Sequence, residues 1–494
     1  MKYQSTRDVN SEKVTSAMAI KQGLAKDGGL FVPDEIPTLT SEVLNTLVPL
    51  SYPERAANIL SRFLPEYTYE ELLSDCREAY SEKSFVGGAA PIVNIHDNLY
   101  SLELWHGPTA AFKDMALQIM PRLLSRALTK TGEDRTALIL VATSGDTGKA
   151  ALEGYRDIDK VKIMVFYPQN GVSKVQKLQM ATQEGSNVNV CAINGNFDDA
   201  QNGVKQIFAD TNAADVLNKN GYFFSSANSI NWGRLVPQIV YYISAYCDLL
   251  ADGKIKNGEK INFCVPTGNF GNIFAAYIAK LMGLPIGKLI CASNRNNILT
   301  DFLKTGTYDR NRDFHLTMSP SMDILISSNL ERLLYFTAGP EKTALYMKQL
   351  KETGKYTVDA DVKAKIDEIF CGYYADEEAT AAEIKECFDV HKYLCDTHTA
   401  VGISSAERYV KDSGDTAITV IDSTASPYKF AADVYTSLGK AAPADPLQAL
   451  DALSNYSGTE IAYPLRNLAE RTVRFTDVCE PSDMLKKVLE FIEK

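Results

Sequence analysis

Thr136-Ala-Leu-Ile-Leu-Val-Ala-Thr-Ser-Gly-Asp-Thr-Gly148 indicates the fold class, because an apolar run of strand length passes directly into a glycine-rich loop. The residues that follow, 149–155, are typical of a helix. A second segment has the same order, with a strand over 261–265, the loop Pro266-Thr-Gly-Asn-Phe-Gly-Asn272 and a helix over 273–282. Such alternation predicts an α/β fold in which helices cover parallel sheets.

The same alternation continues around these two segments. The sequence predicts strands near 162–167, 187–193, 288–293 and 417–422, and helices near 172–183 and 197–209. Residues 351–391 are rich in Glu, Lys and Ala, which predicts a peripheral helical region.

Both glycine-rich loops are predicted anion-binding sites. Glycines allow backbone N–H groups to surround an anion, and the positive end of the following helix favours negative charge. A nucleotide P-loop does not fit the first loop, because Thr143 stands where glycine is required and Ala150 where Ser or Thr is required. Tight strand-to-helix turns without a ligand are the alternative interpretation.

A lysine precedes the two loops in the stretch His106-Gly-Pro-Thr-Ala-Ala-Phe-Lys-Asp114. Lys113 is set among small and apolar residues, and desolvation lowers the pKa of an amine so that it can attack an aldehyde. A lysine that extends its ammonium group to water is the alternative. Together with two anion sites, Lys113 predicts a cofactor with an aldehyde and a phosphate, such as pyridoxal phosphate, beside a second anion. His106 is predicted to be a structural turn residue.

Composition excludes several classes of function. The 494 residues carry a net charge of −11, from 51 basic and 62 acidic side chains, without a basic block for nucleic acid. Nine scattered cysteines indicate a reducing cytoplasm. The chain lacks a run of eighteen apolar residues, so a soluble protein without a membrane partner is expected. No cluster of His, Cys and carboxylates has the spacing of a metal site, and no metal is predicted.

Ordered motifs along nearly the whole chain resemble the threonine synthases, a family of pyridoxal-phosphate enzymes that act on O-phosphohomoserine. The segments that carry this resemblance are 1–7, 23–33, 103–118, 142–148, 171–180, 228–234, 317–324, 396–402 and 423–430. Three positions depart from the family pattern. Asp8 stands where glycine is usual, Ser426 where histidine is expected, and Tyr428 where a small residue is customary.

The resemblance implies the tryptophan-synthase-β (type II pyridoxal phosphate) fold, with the active site between two parallel-sheet domains. An added N-terminal domain would cover 1–90. The large cofactor-binding domain would comprise 91–130 and 235–494, and the small α/β domain 131–234. The oligomeric state is expected to be a monomer or a homodimer.

The resemblance also implies roles for residues. Lys113 would hold the cofactor covalently and then move protons. The predicted cofactor-binding residues are Lys113, Asp146, Gly268, Asn269, Phe270, Gly271, Asn272 and Thr424. The predicted substrate-binding residues are Thr143, Ser144, Thr147, Asn228 and Arg234. Asp146 is expected to meet the ring hydroxyl of the cofactor or to bond its own backbone. Alternatives are a helix N-cap for Thr424, and a capping asparagine with a surface arginine for Asn228 and Arg234.

The implied reaction converts O-phospho-L-homoserine and water to L-threonine and phosphate, by elimination at Cγ and hydration at Cβ. Two other functions are compatible with the residues alone. One is a serine or threonine dehydratase, which needs no site for a second phosphate. The other is a non-catalytic protein that binds pyridoxal phosphate or a phosphate ligand.

Overall fold

The computed structural model describes residues 1–8, 10–143, 145–170 and 172–493, so the predicted substrate residue Ser144 lies outside the described residues. The N-terminal region is a small antiparallel sheet with four helices. Its elements are β1 (Tyr3–Ser5), α1 (Ser16–Gln22), β2 (Phe31–Pro33), α2 (Ser41–Leu47), α3 (Tyr52–Phe63) and α4 (Tyr69–Ala79). Helix α4 begins at a capping box, in which Thr68 and Glu71 each accept a backbone N–H of the other.

The chain then enters two sheets in turn. The next elements are β3 (Ile92–His96), β4 (Leu99–Glu103), α5 (Asp114–Leu117), α6 (Met120–Lys130), β5 (Thr136–Ala142), α7 (Asp146–Tyr155), β6 (Val161–Pro168), α8 (Lys174–Ala181), β7 (Val188–Ile193), α9 (Phe197–Ala209), α10 (Thr211–Lys219) and β8 (Tyr222–Ser225). The strands predicted near 162–167 and 187–193 correspond to β6 and β7, and the helix predicted near 197–209 to α9.

The remaining elements complete both sheets. They are α11 (Trp232–Ala251), β9 (Ile261–Pro266), α12 (Gly271–Met282), β10 (Ile286–Ser293), α13 (Ile298–Thr305), β11 (Thr307–Asp309), α14 (Leu330–Ala338), α15 (Pro340–Thr353), β12 (Lys355–Thr357), α16 (Ala360–Asp367), β13 (Phe370–Tyr374), α17 (Glu377–His391), α18 (Thr397–Ser413), β14 (Thr419–Ser423), α19 (Ala431–Ser437), α20 (Pro446–Ser457), β15 (Val478–Cys479) and α21 (Met484–Ile492).

The smaller sheet has five parallel strands in the order β15-β7-β6-β5-β8. Alternate residues of β5 face opposite sides: Leu138 packs in the cluster that contains α9 and α21, and Ile139 in the cluster that contains α6 and α7. Because both faces are buried, the strand is apolar from Ala137 to Ala142, as expected for a parallel sheet.

The larger sheet has six strands in the order β13-β10-β9-β14-β4-β3, parallel except for β3. Phe263 of β9 packs with helices α11 and α12, and its neighbour Cys264 packs with α18 on the opposite face. The predicted α/β fold with two parallel-sheet domains is therefore confirmed. Among the described residues, no helix has the length and apolarity needed to cross a membrane.

Two features differ from the sequence-based expectations. Strand β13 lies within 351–391, a region expected to be helical and peripheral, and it forms the edge of the larger sheet. Strand β15 pairs with β7 in the smaller sheet, although residues 235–494 were assigned to the large domain. Both strands are short, and their pairing depends on distant parts of the chain. The division into domains stays a proposal, to which we add that 478–492 belongs with the small domain.

Candidate active site

The segment that carries Lys113 is held beside the end of β14. The N–H of Phe112 donates to the carbonyl of Thr424 at 2.8 Å, and the N–H of Ser426 donates to the carbonyl of Ala110 at 3.1 Å. Helix α5 begins immediately after Lys113. The structure thus places the predicted cofactor lysine and Thr424 on adjacent backbone segments at the carboxyl ends of the strands, where ligands bind in open α/β sheets.

Lys113 is surrounded by groups that control its charge. Its Nζ lies 3.9 Å from Oδ2 of Asp146 and donates to Oγ of Ser321 at 3.3 Å. Burial lowers the pKa of Lys113 to about 8; the negative charge of Asp146 opposes this shift, and the positive charges of Lys429 and Arg234 add to it. This amine therefore loses its proton more readily than an ordinary lysine, which favours covalent capture of an aldehyde.

Asp146 is the anionic centre of the site. Its Oδ1 lies 2.7 Å from Nζ of Lys429 and accepts a hydrogen bond from Nε2 of Gln176 at 2.8 Å. Burial acts to raise the pKa of Asp146, but the ammonium groups of Lys429 and Lys113 outweigh it and hold that pKa well below its usual range. Among the described hydrogen bonds, none joins the Asp146 side chain to the backbone of its own loop.

The first glycine-rich loop is tied together by Thr143. Its Oγ1 accepts the N–H groups of Gly145 and Gly148, both at 3.0 Å, and donates to the carbonyl of Gly145 at 3.2 Å. A Cβ on Gly148 would lie 2.3 Å from Cγ2 of Thr143, so this glycine permits the close packing. The Thr143 hydroxyl therefore organises the loop, while Thr147 is half-buried in the first turn of α7.

The second glycine-rich loop is an uncharged backbone cradle. Phe270 has a left-handed φ of 64° directly before α12. No described residue accepts a hydrogen bond from the N–H groups of Asn269, Gly271 or Asn272. A Cβ on Gly268 would lie 2.8 Å from the backbone carbonyl oxygen of Ser321, so only glycine fits there. Free N–H groups at a helix N-terminus, close to Lys113, fit a phosphate-bearing aldehyde such as pyridoxal phosphate.

Arg234 is a buried cation near Lys113. Its Nη1 donates to the carbonyl of Ala227 at 2.9 Å, its Nε has no partner among the described residues, and no described carboxylate pairs with it. Burial lowers the pKa of this guanidinium to about 10, a shift that Tyr155 opposes. Arg234 is not the surface residue of the alternative interpretation, whereas Asn228 is exposed. A buried guanidinium without a counter-charge is suited to binding an anion.

Sequence reasoning assigned no role to several residues at the site. The N–H of Ser321 donates to Nε2 of His398 at 3.1 Å, and Nδ1 of His398 lies 2.7 Å from Oδ2 of Asp396. The hydroxyl of Ser321 also donates to Asp146 at 3.4 Å. Asp396 and His398 thus orient the loop that touches Lys113. The stretches 317–324, 396–402 and 423–430 contain these residues and Lys429, but spacing alone gives no signal that they converge.

The positions that depart from the family pattern have structural partners. Ser426 accepts the N–H of Tyr428 and caps the short helix Pro427–Phe430, so it is the N-cap that was considered for Thr424. The hydroxyl of Tyr428 donates to the carbonyl of Thr459 at 2.7 Å. Asp8 accepts the N–H of Asn10 in an exposed turn.

His106 bonds on both sides of its ring. Its Nδ1 lies 3.0 Å from the carbonyl oxygen of Val86 and its Nε2 lies 2.8 Å from Oε2 of Glu103. These two contacts agree with the prediction of a structural histidine.

Comparison with protein families covers almost the whole chain. The model described as "Threonine synthase N terminus" matches residues 2–80. The model described as "Pyridoxal-phosphate dependent enzyme" matches residues 91–424, and the model described as "Threonine synthase, C-terminal" matches residues 399–492.

Individual relatives agree with these matches. Threonine synthase-like 1 of Homo sapiens is 41% identical over 436 residues, which cover 85% of this chain; the chain spans 57% of the length of that relative. Threonine synthase of Pseudomonas aeruginosa is 39% identical over 461 residues, covering 91% of this chain and 93% of that protein. The crystal structure of PLP-bound threonine synthase from Brucella melitensis has a TM-score of 0.87 and 38% identity, and covers 100% of this chain and 98% of that chain.

Proposed function

Because this chain belongs to the threonine synthase family of pyridoxal-phosphate-dependent enzymes, we propose that it converts O-phospho-L-homoserine and water to L-threonine and phosphate. One observation carries this proposal: a buried lysine with a lowered pKa has a neutral phosphate cradle on one side and a buried, uncompensated guanidinium nearby. The reaction needs both anion sites, one for the cofactor and one for the substrate.

The cofactor site uses Lys113 and the second glycine-rich loop. When bound, pyridoxal phosphate withdraws electrons from the carbon atoms of an amino acid and stabilises negative charge that develops there. The amine of Lys113 holds the aldehyde carbon and, once it is released, accepts and returns protons at Cα, Cβ and Cγ of the substrate. The N–H groups of Gly268–Asn272 would hold the cofactor phosphate, and the Thr424 hydroxyl would be a hydrogen-bond partner for the pyridine ring.

The substrate site uses the first glycine-rich loop and the start of α11. The guanidinium of Arg234 binds the substrate phosphate with parallel N–H donors and stabilises it as it leaves Cγ. Ser144, Thr147 and the N–H groups at the start of α7 hold the substrate carboxylate, and Thr143 acts through the loop that its hydroxyl organises. The exposed side chain of Asn228 adds an amide donor at the mouth of the site. These contacts fix Cα and Cβ next to the nitrogen of Lys113.

Product analysis tests the proposal directly. The holoenzyme is incubated with O-phospho-L-homoserine, and phosphate, threonine and 2-oxobutyrate are measured. Equal amounts of phosphate and threonine are expected, and the variant Lys113→Ala should release neither. Phosphate with 2-oxobutyrate would instead indicate elimination without hydration, and turnover by Lys113→Ala would contradict the role of this lysine.

The variant Arg234→Leu separates this function from that of a dehydratase. We expect KM for O-phospho-L-homoserine to rise at least about 100-fold, because a charge-assisted bidentate contact of about 3 kcal/mol is lost. Cofactor content should be unchanged, since the cofactor phosphate lies in the other loop. An equal loss of activity toward serine and O-phospho-L-homoserine would argue against a substrate-phosphate site.

We further propose a cytoplasmic enzyme that acts on its small-molecule substrate as a monomer or homodimer, without a nucleic-acid partner. All nine cysteines carry free thiols, which supports a reducing compartment. Measurement of mass in solution would decide between the two oligomeric states.

A further inference from the structure

We propose that Lys429 is a positioning residue that neutralises Asp146 and so keeps Lys113 free of a permanent ion pair. Lys429 and Lys113 approach the two different oxygens of the Asp146 carboxylate, Oδ1 at 2.7 Å and Oδ2 at 3.9 Å. The shorter contact belongs to Lys429, so Lys429 is the principal partner of the carboxylate.

Burial and hydrogen bonding hold the ammonium group of Lys429 in a fixed position. Its side chain has 0% exposure, and its Nζ also donates to the carbonyl of Thr109 at 3.0 Å. Burying an ammonium group is costly unless it is paired and hydrogen-bonded. Lys429 also links two segments: Asp146 is the first residue of α7, after strand β5 of the smaller sheet, whereas Thr109 lies in the turn that leads to Lys113.

Four charged groups near Lys113 shift its pKa. Asp146 and Asp114 raise the pKa of Lys113, and Lys429 and Arg234 lower it. Asp114 is itself buried, and burial raises its pKa to about 7, against two bonds from Thr109 that favour the ionised form. Ser321 offers an uncharged hydroxyl on the remaining side.

Removal of Lys429 would leave Asp146 with a single ammonium partner, Lys113. The carboxylate would then stabilise the protonated nitrogen of Lys113, which cannot act as a base. This inference rests on the proposed use of Lys113 to hold pyridoxal phosphate, but it predicts a property of the cofactor-loaded protein that can be measured without substrate.

The test is a pH titration of the absorbance of the bound cofactor in the full-length holoenzyme, which reports loss of the proton from the nitrogen of Lys113. For Lys429→Met we expect the midpoint to rise by about one pH unit, because the Asp146 carboxylate, no longer neutralised, stabilises the protonated nitrogen of Lys113. For Asp146→Asn we expect a fall of about one unit, because the anion that raises it is gone. Lys429→Arg, which keeps the charge, should restore the wild-type midpoint.

Midpoint shifts of opposite sign in Lys429→Met and Asp146→Asn would distinguish an electrostatic role of Lys429 from a structural one. A structural role would change stability or cofactor content in both variants without opposed shifts of the midpoint, and that result would overturn the proposal. Lys21→Met is the matched control, because Lys21 also forms an ion pair, with Glu133 at 2.9 Å, but does not act on Lys113. Its midpoint should equal that of the wild type.

A second comparison covers the case in which Lys429→Met no longer holds the cofactor. In the Asp146→Asn background, Lys429 has no carboxylate to neutralise, so its removal should leave the midpoint close to that of Asp146→Asn alone. A rise of about one pH unit from Asp146→Asn to Asp146→Asn/Lys429→Met would overturn the proposal, because Lys429 would then act on Lys113 without the carboxylate. Neither measurement uses O-phospho-L-homoserine, so a different substrate would leave both results interpretable.

Discussion

The two glycine-rich loops have the same place in the fold but different chemistry. Each connects the carboxyl end of a parallel strand to a helix, β5 to α7 and β9 to α12. The first loop is closed on itself by the Thr143 hydroxyl and carries the buried carboxylate of Asp146. The second has no charged side chain, and the N–H groups of Asn269, Gly271 and Asn272 lack partners among the described residues.

This difference teaches that a glycine-rich strand-to-helix turn does not by itself identify an anion site. The second loop presents backbone N–H groups at the N-terminus of a helix, and such groups can bind a phosphate without rearrangement. The first loop contains its own anion, and it is compatible with an anionic substrate because Lys429 and Lys113 compensate Asp146.

The largest expected effect comes from adding a side chain to the second glycine-rich loop. Gly268→Ala should weaken cofactor binding about 100-fold, or about 3 kcal/mol, because the new Cβ would meet the Ser321 carbonyl, which cannot rotate away as a side chain would. The measurement is equilibrium binding of pyridoxal phosphate to the full-length chain. Gly271→Ala is the matched control, since a Cβ there has its nearest neighbour at 3.4 Å, and it should bind nearly as well as the wild type.

A smaller effect is expected from opening the first loop. Thr143→Val leaves the N–H groups of Gly145 and Gly148 without an acceptor, which should lower the free energy of unfolding by about 2 kcal/mol. Thr143→Ser keeps the oxygen and should cost about 1 kcal/mol, the value of one buried methyl group. Urea unfolding measures both. Equal losses would mean that packing, rather than the two hydrogen bonds, holds the loop.

The smallest effect is expected at the residue that touches both loops. Ser321→Ala removes the hydroxyl that contacts Lys113 and Asp146 but keeps the carbonyl next to Gly268. We expect kcat to fall about fivefold, or about 1 kcal/mol, with unchanged affinity for the cofactor. Steady-state kinetics and cofactor binding decide this; a binding loss as large as that of Gly268→Ala would show that the hydroxyl holds the cradle itself.

Much of the fold follows from local patterns. The strand over 136–142 and the helix over 197–209 have the predicted bounds, because a long apolar run and a regular 3.6-residue period are legible in sequence. Strands β13 and β15 were not predicted from the sequence. β13 lies among helix-favouring Glu, Lys and Ala residues, and β15 has two residues whose strand conformation depends on pairing with β7.

The residues of the site also fall into two groups, those proposed from local sequence and those that only the structure brings together. Lys113, the second glycine-rich loop and an anion-binding role were proposed from the sequence, because each proposal depends on neighbours in the chain. Arg234 was proposed as a substrate-binding residue only through the resemblance to the family, since no local sequence pattern predicts that its side chain is buried without a carboxylate partner among the described residues. The roles of Lys429 and Ser321 were missed, because a buried ion pair between residues 146 and 429 is a contact between distant segments.

The sequence by itself therefore determined the α/β class, the order of the strand-loop-helix units and the family, because strand and helix periodicity and motif order are properties of contiguous residues. Burial and distances in the folded chain show which loop is neutral, which lysine compensates Asp146 and which guanidinium has no carboxylate partner among the described residues. Those properties depend on burial and on distances between side chains far apart in the chain, and electrostatic interactions are set by these two quantities.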